Sequence, residues 1–167
     1  VAADAMTDAQ RAQLARASSA GKELSGRMLA RVTERVTAAG HVAAIDTCKQ
    51  EAPTITAEIA AAQGVRLGRT AARLRSPTNT APEWAKPLIA QAPQTPQTLV
   101  RDDGTLAALL PIRLAEACVA CHGAPDKLAP GVADALASRY PDDQATGFAP
   151  GDLRGWLWVE VPPEATR

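Results

Sequence analysis

Five consecutive residues, Cys118-Val119-Ala120-Cys121-His122, restrict this chain more than any other stretch. Two thiols three residues apart, with a histidine directly after the second, read as a c-type haem attachment site. On one helical turn, residues at i, i+3 and i+4 share a face. Both sulfurs then reach the two vinyl groups of one porphyrin, and His122 points at the iron as proximal ligand. The rival readings are a redox CxxC or half of a zinc site. The chain holds three cysteines and two histidines in all, so no second Cys/His pair completes a zinc tetrahedron. Nothing thioredoxin-like surrounds the motif.

Composition agrees with a chain folded around one covalent haem c. Only 3% of the residues are aromatic, and alanine fills many apolar positions. Such a core is short of bulk that a buried porphyrin supplies. The 18 basic and 18 acidic residues cancel, which leaves no nucleic-acid footprint. No apolar run reaches the roughly 18 residues of a membrane span. Val1-Ala2-Ala3-Asp4 shows neither the basic start nor the apolar stretch of a signal peptide. Haem c is attached outside the cytoplasm in bacteria, so the motif alone predicts a periplasmic, mature or truncated form. With two cysteines used for thioethers, Cys48 is left over. An unpaired thiol in an oxidising compartment is a liability unless it is buried or bound to something.

Residues from about Asp4 to Ala39 lack proline and are rich in helix formers. Leu14, Ala17, Gly21, Leu24 and Met28 trace an apolar seam near the helical period, and Gly40 serves as a C-cap. This N-terminal helix packs on the body or, as the alternative, forms a homodimer arm. A second helix over His41 to Lys49 ends near Pro53, and a third runs from Pro53 to Gln63, with Gly64 ending it. Val65 to Leu74 predicts a strand with Gly68 as a bulge or a point of close backbone approach. Ser76 to Pro82 is a turn-rich loop, followed by a short helix over Glu83 to Gln91.

The clearest hairpin pairs Thr98–Arg101 with Thr105–Leu114 around Asp102-Asp103-Gly104. After the motif come a helix over Pro130 to Tyr140, a loop, and a final strand over Gly155 to Val161. The mixed order without a βαβ rhythm predicts an α+β fold with an antiparallel sheet. Two units are expected: a helical arm over residues 1–39 and the haem domain over 40–167.

Several stretches, taken in order, resemble one bacterial family. Gly68-Arg69-Thr70, then Arg75-Ser76-Pro77-Thr78-Asn79 and Pro82-Glu83-Trp84, are similar to its GRTS…RNP.N.P..WE stretch. Cys118 to Gly123, then Tyr140 to Phe148 and Gly151 to Gly155, resemble its CxxCHG and YP.D.A.GY..GD.RG blocks. Ser76 and Phe148 stand where Asn and Tyr are common. The family comprises c-type haem proteins with a PAS-like fold, once known only as a domain of unknown function. The resemblance spans about Val36 to Val161. It implies a PAS-like antiparallel sheet flanked by helices and a sensing or redox role. It also implies that an upstream cysteine, here Cys48, is the sixth iron ligand opposite His122.

Cys48 has a physical case of its own, because Fe(III) stabilises an adjacent thiolate. His41, Met28 and Met6 are rivals, and a free Cys is also a common small core residue. Haem propionates need cations or donors unless they face water; Arg69, Arg75, Asn79 and Tyr140 are the candidates. Trp84, Trp156 and Trp158 read as packing rather than electron relays.

The functional expectation is an extracytoplasmic redox or haem-based sensor with Cys48–iron ligation as its switch. The alternative is a periplasmic electron carrier. A peroxidase-like enzyme ranks last, since it needs an open iron site and a distal acid/base. A sensor implies a separate signalling protein as partner, and CO or NO as diatomic ligands after reduction; a carrier implies a redox partner.

Overall fold

The computed structural model describes residues 5–164. Its architecture is α+β: a helical hairpin lies on one face of a four-stranded antiparallel sheet, and a thinner layer covers part of the other. The long helix α1 (Asp8–Gln63) starts from a capping box. Thr7 Oγ1 accepts from the Gln10 backbone N–H while Gln10 Oε1 accepts from the Thr7 N–H, so two otherwise orphaned donors are satisfied. Asp4, the expected start, lies outside the described residues.

At Gly40 the backbone takes φ 81 and ψ 174, a conformation that costs a side-chain-bearing residue dearly. Helical bonding resumes immediately, and the two arms run back along each other. Arg16 reaches the carbonyls of Gln63 and Gly64, Arg27 pairs with Glu58, Arg31 with Glu51, and Arg35 donates to Thr47. The expected break at Pro53 does not occur, and α1 continues to Gly64, whose φ 60 and ψ 44 form a left-handed cap. Pro53 is exposed, and its missing N–H leaves only the carbonyl of Lys49, also exposed, without a helical donor. Water serves that carbonyl, while Ile55 and Ile59 pack into the core and carry the arm through.

The strands are β1 (Arg66–Thr70), β2 (Gln97–Val100), β3 (Leu106–Arg113) and β4 (Leu153–Val161), in the order β1-β4-β3-β2. The expected hairpin is present, with Gly104 at φ 79 in its turn. Its second strand pairs with the strand ending at Val161. β1 is shorter than the 65–74 expected. Register through Gly68 is unbroken, so that glycine marks close approach rather than a bulge: a Cβ there would meet the Trp158 ring at 2.6 Å.

Alternation divides the sheet into two faces. Leu67, Leu106, Ala108, Leu157 and Val159 join Ala17, Ala20, Leu24, Ile55 and Ile59 of α1 in the main core. Leu109 and Trp156 point the other way. They are covered by Trp84 and Ala85 from a 3-10 turn and by Leu88 and Ile89 from α2 (Lys86–Ile89). On that far face the buried Glu160 carboxylate accepts from Trp84 Nε1 at 2.7 Å and Arg66 at 2.7 Å. Trp156 Nε1 donates to Pro93 O at 3.0 Å. One irregularity interrupts the pattern. Ile112 faces Gly155 but Arg113 faces Leu153, which leaves Arg154 as an extra residue on β4.

Candidate functional site

The five-residue motif is a 3-10 turn, Glu116–Cys118, running into the single turn of α3 (Val119–His122). So short a helix has no propensity to persist alone. It is held because its terminal carbonyls all find donors. Ala120 O accepts from Ala129 N, Cys121 O from Arg75 Nη2 at 2.7 Å, and His122 O from Phe148 N at 2.9 Å. Arg75 is itself clamped by Asp143, at 3.1 and 3.2 Å, and also donates to Ala145 O. The loop after α4 (Val132–Arg139) therefore fixes the motif from behind.

His122 Nδ1 lies 2.7 Å from the Ala145 carbonyl. A carbonyl can only accept, so Nδ1 carries the proton and Nε2 keeps its lone pair free for a Lewis acid. Burial, with the Arg75 and Arg154 charges, pushes the imidazole down to about 3. The ring is neutral at any physiological pH, as a metal ligand must be.

In front of the motif is a cavity of about 670 Å³, within the ~300–1,000 Å³ of small-molecule sites. Residues 24–48 of the helical hairpin roof it. The floor is the helix-facing side of the sheet where β1, β3 and β4 end. Cys118, Cys121 and His122 border it along one wall. Cys48, Arg69, Arg75, Asn79 and Tyr140 border it too, so the site residues expected from sequence share one chamber. His41 and Met28 also line it, whereas Met6 is buried in the main core and does not. His41, Ala44, Ile45 and Cys48 occupy one face of the second arm. Among the described residues, no group of three or more His, Cys, Asp or Glu side chains is assembled for a bare metal ion.

The chamber is apolar but carries positive charge. Burial pushes the Cys48 thiol up, and Arg69 and Arg75 pull it partly back. Burial also raises Cys121 and lowers Arg69. Tyr140 is raised by burial and then by Cys48, with the Lys49 ammonium 5.3 Å from its ring centroid. Asp46 and Lys49, flanking Cys48, both hold Arg139 at the end of α4. The sequence reading missed Arg154, which lines the chamber and is lowered to about 10 by burial and by Arg75. Its place in the GD.RG block was the sequence signal for it; its orientation depends on the bulge, which periodicity does not show.

A tethered tetrapyrrole requires paired thiols on one helical face, a neutral imidazole with a free nitrogen, apolar walls and cations for carboxylates. The chamber offers each of these.

A family model described as Tll0287-like matches residues 2–162. Among solved structures, the crystal structure of the cyanobacterial haem protein Tll0287 is similar. Identity is 26%, the match covers 72% of this chain and 73% of that one, and the TM-score is 0.55. No curated protein matches.

Proposed function

We propose that this chain, which belongs to the Tll0287-like family, is a mono-haem c protein working outside the cytoplasm as a redox or haem-based sensor. The observation that carries the reading is the convergence of Cys118, Cys121, His122 and Cys48 on one apolar chamber. Its similarity to a haem protein and a PAS-like sheet with a helical flank support it. In attachment, each thiol S–H adds across one vinyl C=C to give a thioether, with no net oxidation. When bound, haem supplies a one-electron Fe(III)/Fe(II) couple.

The chain's own residues define what it does with that couple. Ala145 O orients His122, which would bind the iron through Nε2, and Cys48 is our candidate for a second iron ligand. Arg75 and Asp143 keep the motif rigid, so the movable partner is Cys48. It sits on the second arm between Asp46 and Lys49, which grip Arg139 of α4. Letting go of Cys48 unties that arm from the site while leaving it hinged at Gly40 and fastened to α4. A displacement there is readable by a separate signalling protein, and the freed position admits CO or NO. With His122 and Cys48 both engaged, no coordination site is left for a substrate, so the reading is non-enzymatic. An electron carrier is the second reading, favoured by how rigidly His122 is held.

Mass spectrometry of the denatured chain is expected to retain one haem, and extraction of all haem into acid–acetone would end the covalent reading. Magnetic circular dichroism of wild type and Cys48→Ser in both oxidation states tests the switch. We expect a thiolate signature in the ferric wild type that disappears on reduction, and a raised potential in the variant. Unchanged ligation in both states, with no diatomic binding, would leave electron transfer.

A further inference from the structure

The irregularity in β4 has a chemical use. Along this strand Leu157 and Val159 face the helices and Trp156 and Glu160 face away. Continued without interruption, that alternation would turn Leu153 toward the chamber and Arg154 away from it. The extra residue at Arg154 reverses both. Leu153 packs with Trp156 and Ala85 on the far face, and Arg154 lines the chamber. A bulge forfeits regular ladder pairing and re-aims a side chain. Here it exchanges an apolar side chain for a guanidinium in a largely apolar space.

That guanidinium has no ion pair among the described residues; Asp143, already committed to Arg75, favours its charge only through space. Arg154 Nη1 donates to the Arg73 carbonyl at 3.1 Å, and its plane lies 5.5 Å from the Phe148 centroid. Neither contact neutralises it. The Arg69 side chain, on the neighbouring strand β1, has no hydrogen bond or ion pair among the described residues. Arg75 is already neutralised by Asp143. Arg69 and Arg154 thus face the chamber without an ion-pair partner among the described residues, and burying charge that is not fully compensated is costly.

We propose that Arg69 and Arg154 form a carboxylate subsite of the chamber, which selects a dianionic tetrapyrrole over its neutral ester before any thioether forms. The proposal rests on the haem reading above. It changes the assignment of one residue: Arg75 positions the motif, and Arg154 takes the anion-binding role.

The test titrates the reduced, full-length apo chain with ferric haemin and, separately, with haemin dimethyl ester, followed by Soret absorbance. Haemin is expected to bind about ten-fold or more tightly than the ester, with the advantage shrinking as NaCl rises. In the Arg69→Gln/Arg154→Gln variant the two affinities converge because haemin weakens while the ester holds, the retained ester binding showing that the chamber is folded. Arg154→Gln alone should remove part of the advantage. Equal affinities in the wild type, or an advantage that survives both substitutions, overturn the subsite and leave the haem reading intact. Failure of both compounds to bind overturns the haem reading with it.

Discussion

The two halves of the helical hairpin lie over the same sheet face, yet one half is filled and the other spans a chamber. At the filled end, Ala17, Ala20 and Gly21 let the first arm approach closely, and Leu24, Ile55 and Ile59 interlock with Leu106, Ala108 and Val159. The buried polar group there is Gln13, whose amide donates to Gly104 O and Val161 O at 3.0 Å each. At the other end Met28, Val32 and Val36 continue the same helical stripe but face thiols, an imidazole and arginines across open space. The contrast teaches that the chamber is specified rather than left over. Small residues close one end; the other is lined by arginines, of which Arg69 and Arg154 have no ion-pair partner among the described residues.

The largest expected effect sets the two ends directly against each other. In the apo chain, Ile59→Ala should cost about 2–5 kcal/mol by urea unfolding, because it empties a packed site away from the chamber. Val32→Ala, over the chamber, should cost below ~1 kcal/mol. Equal losses would dissolve the distinction. Next in size is a pH dependence confined to the open end. Folded His122 sits at about 3 against an ordinary 6.5, so the unfolded chain takes up the proton first as pH falls. Apo stability should therefore be complete above pH 6.5 and decline between 6.5 and 3, by at most roughly 1.4 kcal/mol per pH unit. Asp46, Glu51 and Asp103, held below the ordinary carboxylate range by their partners, add to the decline at its acid end. His122→Gln should remove the part above about pH 4.5, and a slope that persists there would assign it elsewhere. The smallest effect compares two glycines of the first arm. An added Cβ at Gly21 would meet Leu110 Cδ1 at 2.8 Å, whereas at Gly26 it meets nothing within 4 Å. Gly21→Ala should lose about 1–2 kcal/mol to crowding, and Gly26→Ala should gain up to ~1 kcal/mol from helix propensity. Thermal melts of the pair suffice, and a gain at Gly21 would mean the filled end has slack.

How much of this was legible in the sequence depends on how local each signal is. The β2–β3 hairpin, the Gly40 reversal and the Gly64 cap follow from chemistry within a few residues, and each is present. Pro53 misled because a helix tolerates proline where the orphaned carbonyl faces water and neighbouring turns are buried, and burial is not a local property. The pairing of Cys48 with the motif was read from the leftover thiol and from the resemblance, not from spacing, since 70 residues separate them. Arg75 lines the chamber as expected, but its commitment to Asp143 depends on a contact 68 residues distant. Arg154 was missed because the final strand was expected to begin at Gly155, whereas it begins at Leu153 with a bulge that only its pairing partner reveals.

The strand order β1-β4-β3-β2 has a consequence for the chronology of the molecule. The last of the four strands in chain order, β4, is an interior one, flanked by two neighbours made before it. Until residues 153–161 exist, β1 has no pairing partner in the sheet and β3 presents a bare edge. The motif at 118–122 is by then complete, but Gly155 and Leu157, which floor its chamber, are not. The thiols are thus synthesised beside a chamber that still lacks part of its floor. Insertion of β4 between its two waiting neighbours then completes the floor that the motif faces.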